Sequence, residues 1–226
     1  MRIDRAGLPF ILGALLPAAA LIAFRRPGLA LSLAVLAGLF AFFFRDPDRE
    51  VPSDDNDPHI VLATADGRVM HAGPAEPDVA PEGIWTQISI FLSPLDVHVN
   101  RTPVSGRILD IDYRPGRFLP AYRDDAAAKN ERSEIRINHQ GRIVVCRQVV
   151  GLLARRVVCR LLPGMDVTPG QRLGVMKFGS RMDIFLPTDS HLHVGVGESV
   201  RGGETIVARL CPLPVEARAT GTSDTN

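Results

Sequence analysis

The sequence predicts an all-β (mainly β) barrel-sandwich-like domain carried behind an N-terminal, membrane-associated helical hairpin. Three observations lead there. Two nearly uncharged runs, Leu8 to Phe24 and Gly28 to Phe44, open the chain. After Pro58 the sequence breaks into short alternating or β-branched runs, and nearly every gap between them holds Gly, Pro or Asp-Gly, as strands joined by tight turns require. With 226 residues, 46% hydrophobic and 23% charged, the chain can bury one sizeable core and is neither disordered nor a disulfide-stapled miniature. Twenty-six basic against 25 acidic side chains leave a net charge of +1, so no overall field points to nucleic acid. Cys146, Cys159 and Cys211 lack CxxC spacing, which fits a reducing compartment and excludes a thiolate zinc cluster.

Residues 1–45 read as the hydrophobic hairpin. Each run is about 17 residues, the lower limit for a spanning helix. Only Arg25-Arg26-Pro27 separates the runs, and Arg45-Asp46-Pro47 stops the second with charge and proline together. Arg2, Arg5, Arg45 and Arg49 flank the hairpin against two arginines in its turn. The positive-inside rule therefore favours an inner-membrane anchor with both ends in the cytoplasm. A signal peptide is the competing reading of the first run, a core hairpin of a soluble protein the competing reading of both, and shallow monotopic insertion a third.

Residues 46–58, rich in Asp, Pro, Ser and Asn, read as a linker, and 59–211 as the β-rich domain. Strands are predicted at Ile60 to Leu62, Trp85 to Leu92, Ile108 to Tyr113, Glu134 to Asn138, Ile143 to Val150, Arg156 to Leu161, Arg172 to Phe178, Met182 to Leu186 and Thr205 to Leu210. Phe118 to Asn130 reads as an irregular or partly helical excursion, and the small, polar stretch 212–226 as a disordered tail. Val167 to Gly174 and Val200 to Val207 share the pattern Val-x-x-Gly-x-x-Leu/Ile, with Val104 to Ile108 a shortened relative. Repetition of a strand end, glycine turn and new strand suggests the swapped hairpins of lipoyl-like folds.

Motifs for common chemistries are missing. Six histidines form no His-Glu-x-x-His or similar ligand set, and His191 and His193, at strand spacing, are too few for zinc; no metal is expected. Walker loop, dinucleotide fingerprint and nucleophile elbow are all absent. Met176-Lys177 could be mistaken for a biotin-accepting turn, but its neighbours read as a continuing strand. Gly179-Ser180 is different: a serine hydroxyl can reach the preceding glycine carbonyl and convert the peptide to an ester if the backbone is strained and a base is near.

Several motifs in one order give that pair its meaning. Ala65-Asp66-Gly67-Arg68-Val69, Phe91-Leu-Ser-Pro-Leu-Asp-Val-His98-Val-Asn-Arg-Thr-Pro103, Lys129-Asn-Glu-Arg132, Gly151-Leu-Leu-Ala-Arg-Arg156 and Phe178-Gly-Ser-Arg-Met-Asp183 resemble the phosphatidylserine decarboxylases in their short, single-domain form. The resemblance covers about residues 43 to 210, with Phe43-Phe44-Arg45-Asp46-Pro47 similar to the family's segment leaving the membrane. Thr64-Ala65-Asp66-Gly67 departs from the usual Ser-Pro-Ala-Asp-Gly, and Phe178-Gly179-Ser180-Arg181 from the Leu-Gly-Ser-Thr of longer members; neither change removes a reacting group.

The resemblance implies a proenzyme that cuts itself between Gly179 and Ser180, giving a β chain of residues 1 to 179 and an α chain headed by a pyruvoyl group made from Ser180. No external cofactor is implied. Asp66 matches the family aspartate, which would orient and charge-stabilise a histidine, and His98 is the matching histidine. Longer members carry a second histidine three positions on, where this chain has Arg101, so the division of roles is left open. The implied reaction converts phosphatidylserine to phosphatidylethanolamine and carbon dioxide, the pyruvoyl carbonyl taking the substrate amine and accepting the electrons released, with His98 returning a proton. Implied partners are phosphatidylserine, membrane lipid and the two chains of the protein itself; a homo-oligomer is compatible. Alternatives are a non-catalytic lipoyl- or biotinyl-like membrane adaptor, or a pyruvoyl decarboxylase of another serine-headgroup lipid. The basic stretch from Arg123 to Arg160 could meet anionic lipid or phosphate, although alternation along strands more simply gives a solvated face.

Overall fold

A computed structural model describes residues 2–52, 57–123, 125–152, 157–176 and 180–213. The hairpin is α1 (Leu8–Ala23) and α2 (Pro27–Phe43). Proline stands in the first turn of both helices, where a missing N–H costs nothing. The helices meet through small side chains, Ala14, Ala18, Ala30 and Ala37, all buried, which lets their backbones approach closely. Leu12, Leu16, Ile22, Leu31, Val35 and Leu39 point outward. The pair is thus inverted relative to a soluble core, small inside and large apolar outside. Residues Arg5–Ala23 are long and apolar enough to cross a membrane.

The strands are β1 (Arg2–Ile3), β2 (Arg45–Asp46), β3 (Ile60–Leu62), β4 (Gly67–Pro74), β5 (Thr86–Leu92), β6 (Val99–Arg101), β7 (Gly106–Arg114), β8 (Arg132–His139) and β9 (Arg142–Val150). They continue with β10 (Val157–Cys159), β11 (Asp166–Val167), β12 (Arg172–Met176), β13 (Ser180–Leu186), β14 (His191–Leu192), β15 (Ser199–Val200) and β16 (Ile206–Arg209). Eight form one curled, antiparallel half-barrel in the order β11-β7-β8-β9-β13-β5-β4-β15. Two three-stranded sheets, β10-β12-β6 and β14-β16-β3, accompany it, and β1 pairs with β2 across the base of the hairpin. Ile88, Ile90, Ile108, Ile135, Ile137, Val144, Ile184 and Leu186 fill the interior. The expectation of a mainly β protein with an apolar helical N-terminus holds.

Most predicted strands appear within a few residues of their expected ends. The excursion at 118–130 carries one helical turn, α3 (Ala126–Lys129). Strands β4 and β6 were not anticipated, nor were the two-residue strands β1, β2 and β14. The expected tail at 212–226, from residue 214 on, and the end of the predicted Arg172 to Phe178 strand, at Lys177 and Phe178, lie outside the described residues.

The repeated motif has a structural meaning. The turn after β11 and the turn after β15 pack on one another, with Gly170 and Gly203 side by side at φ +73° and +79°, a left-handed conformation that favours glycine. Each clips to a facing strand segment in the same way: Gly170 N–H donates to Thr102 O at 2.9 Å and Gly203 N–H to Ala63 O at 2.8 Å. This quasi-symmetric junction brings residues 63–66, 100–103 and 202–203 together, and the acidic site residue lies there.

Candidate active site

Ser180 is the first residue of β13, held between Leu92 of β5 and Val150 of β9. Its side chain shares a face with Leu92 and Met182, which cluster with Ala65 and Met176. The residue is fully buried, and its Oγ has no hydrogen-bond partner among the described residues. Such a hydroxyl ordinarily costs about 1–3 kcal/mol, so the fold tolerates a reactive group there without quenching it. Gly179, the other half of the expected scissile bond, lies outside the described residues.

His98 follows a turn closed by Ser93 and Asp96: Ser93 N–H donates to the Asp96 carboxylate at 2.7 Å, and Asp96 N–H to Ser93 O at 3.0 Å. The turn presents Asp96 O to His98 Nδ1 at 2.9 Å. A carbonyl only accepts, so Nδ1 carries the proton and the lone pair of the neutral ring sits on Nε2. Burial pushes the imidazole down from its ordinary value to about 4, partly opposed by the bond to Asp96 and by its charge, and aided by Arg45. The ring is therefore neutral at physiological pH, in the basic form. It also lies 4.1 Å, centroid to centroid, from the ring of Phe43. The backbone of His98 accepts from Met176 N–H at 3.2 Å, tying it to the strand that leads towards the 179–180 bond.

Asp66 sits between β3 and β4. Its Oδ1 accepts from Gly202 N–H at 2.8 Å and its Oδ2 from Arg49 at 2.6 Å. It borders a cavity of about 570 Å³ that is also walled by Phe91, Ser93, Asp96 and Arg201. Ser180 and His98 are not among its walls; cavity and histidine meet through Asp96, whose carbonyl holds the imidazole.

Arg101 is engaged by groups on the hairpin's exit and on the turn after β11. It is buried, donating to Gly170 O at 2.9 Å, Pro47 O at 2.9 Å and Asp46 at 3.2 Å. Asn130 brackets the excursion: its side chain bonds Leu119 through both backbone groups and donates to Val150 O at 2.8 Å, fixing the residue that faces Ser180. The basic stretch is largely paired, Arg123 and Lys129 with Asp125, Arg142 with Asp189, Arg147 with Glu134 and Arg160 with Asp4. Arg155 and Arg156 lie outside the described residues. Sequence reading missed Arg49, Phe43 and Asp96; the first two stand in or beside a stretch whose composition reads as linker, and the third acts through its backbone.

Comparison with known proteins gives this geometry a context. The family model for phosphatidylserine decarboxylase matches residues 36–208. A phosphatidylserine decarboxylase proenzyme of Chlorobaculum parvum is 44% identical over 182 residues, covering 80% of this chain and 83% of its own. That of Salinibacter ruber is 43% identical over 202 residues, 89% and 88% of the two chains. The Pelodictyon phaeoclathratiforme proenzyme is 45% identical over 175 residues, 77% and 81%. The match spans every strand from β3 to β13, the turn that holds His98 and the start of β13 at Ser180, and on this evidence the chain belongs to the phosphatidylserine decarboxylase family.

Proposed function

We propose that the chain is a self-processing decarboxylase that converts phosphatidylserine to phosphatidylethanolamine and carbon dioxide, using a pyruvoyl group made from Ser180. The observation that carries this reading is the buried hydroxyl of Ser180, unpartnered among the described residues, at the head of a central strand. A prosthetic group made from that side chain needs no entry path, and the apolar surroundings of Leu92, Met176 and Met182 suit a site that must exclude water.

In processing, Ser180 Oγ adds to the carbonyl carbon of Gly179, and the C–N bond breaks to leave an ester and a free amine. His98, with its lone pair on Nε2, takes the hydroxyl proton and returns it to the leaving nitrogen. Removal of the Ser180 α-proton then expels residue 179 as a carboxylate, leaving dehydroalanine; water replaces the nitrogen, which departs as ammonia. Once formed, the pyruvoyl carbonyl supplies the electron sink for loss of carbon dioxide. In this reading His98 returns a proton to the substrate. Asp66 supplies the negative charge of the site, its carboxylate fixed by Arg49 and Gly202. The hairpin, with arginines flanking both ends, holds the domain at the cytoplasmic face of the inner membrane, where a lipid headgroup is within reach.

The intact mass of purified protein beside Ser180→Ala tests the reading. Two fragments are expected from the wild type, the smaller lighter by about 17 Da than simple hydrolysis gives, the mass of ammonia, with none from the variant. The processed protein is expected to release carbon dioxide from phosphatidylserine vesicles. A single uncut wild-type chain from cells in which it functions would sink the proposal.

A further inference from the structure

The seven residues that join the hairpin to the rest of the molecule touch both candidate reactive partners of Ser180. Phe43, the last residue of α2, is buried with its ring against His98. Asp46 pairs with Arg101 at 3.2 Å and with Arg172, so the segment is bolted to β6, the strand that starts directly after His98. Arg49 donates Nη2 to Asp66 at 2.6 Å and Nη1 to Glu204 at 3.0 Å, with only 9% of its side chain exposed. A guanidinium so little hydrated is held by its carboxylates, and a carboxylate that loses it is left charged and underpaired.

We propose that residues 43–49 are part of the active site: Arg49 positions the Asp66 carboxylate and Phe43 positions the His98 ring. This rests on the roles given above to Ser180, His98 and Asp66. The bond to Asp96 O sets the tautomer of His98, and the ring of Phe43 packs against the imidazole and keeps water away. Without Arg49, Asp66 keeps, among the described residues, only the Gly202 N–H as a hydrogen-bond donor and can swing out of place. Among the described residues, Asp96, on its own turn, and Arg45, just beyond α2, are charged groups that act on His98.

The test uses the full-length proenzyme in detergent and follows the time course of cutting, turnover of the cut form and thermal melting. Arg49→Met is expected to slow cutting about tenfold or more, the effect of misplacing a catalytic partner, and Arg49→Lys to restore part of the rate. Arg142→Met, which removes the pair with Asp189 on another part of the surface, is expected to cut like the wild type. Phe43→Ala is expected to move the acid limb of the cutting rate upward in pH, because a hydrated imidazole returns towards its ordinary value; Phe43→Leu, still apolar, is expected to keep the limb and lower the rate.

Wild-type cutting with an unchanged rate and pH profile in both Arg49→Met and Phe43→Ala would overturn the inference while leaving the decarboxylase reading intact. Loss of cutting in Arg142→Met equal to that in Arg49→Met would overturn it as well, since any ion pair would then serve. If Arg49→Met gives no cooperative melt, Arg49→Lys and Phe43→Leu decide: wild-type rates in both reject the inference. An uncut wild type would remove the reading beneath it.

Discussion

The central sheet has two faces of opposite character, and both are buried. On the inner face of β13, Ser180 stands among Leu92, Met176 and Met182 with its hydroxyl unpartnered among the described residues. On the outer face, Arg181 donates to Asp183 at 2.6 Å and to Ser89 at 2.9 Å, and in neighbouring strands Arg147 pairs with Glu134 at 3.2 Å while its guanidinium lies over Phe185. Charges there are numerous and mostly matched. Burial of a polar group therefore does not mark a site. What distinguishes the inner face is a buried hydroxyl left without a bond among the described residues, where ordinary packing would have satisfied or replaced it.

Substitutions on the two faces should separate accordingly. Ser180→Ala should abolish cutting altogether, seen as one band on a denaturing gel where the wild type gives two. His98→Ala should slow cutting by roughly 10²–10⁴, the usual share of a general base, measured by quantifying the two fragments over hours. The cutting rate should be flat across neutral pH and fall only as pH drops through about 4, because His98 must be neutral to accept a proton. Wild-type stability should decline earlier. The folded state keeps His98 unprotonated while the unfolded chain takes up a proton near 6.5, so stability is lost as pH falls from 6.5 towards 4. That slope should be reduced in His98→Ala, as acid-titrated melting curves would show. Arg147→Met, on the outer face, should lower stability by about 1.5–3 kcal/mol by leaving Glu134 with Arg132 alone, 3.7 Å away, yet leave the cutting rate of folded protein unchanged. Equal catalytic loss from Arg147→Met and His98→Ala would erase the distinction between the faces.

Much of this was legible in the sequence, for physical reasons that also explain what was not. Strands such as Ile143 to Val150 announce themselves through β-branched residues that fit a pleated surface. Strand β4, Gly67–Pro74, carries glycines, a histidine and a proline, and exists because β5 and β15 pair with it on either side. β6 is three residues with Asn and Arg in it, held by β12. Ser180, His98 and Asp66 were reached through motifs whose order resembles a known family. Arg49 escaped because Asp, Pro and Arg after a hydrophobic run suggest solvated chain; its partners Asp66 and Glu204 are 17 and 155 residues away, a distance no local pattern spans.

On the proposed function, with the cut before Ser180, the placement of that residue also fixes what the cut can release. The bond to be broken directly precedes a strand already zipped to β5 and β9, and the residues after it go on to supply β15 to the edge of the half-barrel and β14 and β16 to a separate sheet. Cutting there severs the covalent thread and leaves every hydrogen-bonded ladder of those strands in place. The two products then persist as an obligate heterodimer of fixed one-to-one stoichiometry, able to part only by unfolding, and its refolding from denaturant becomes a bimolecular event whose yield depends on protein concentration.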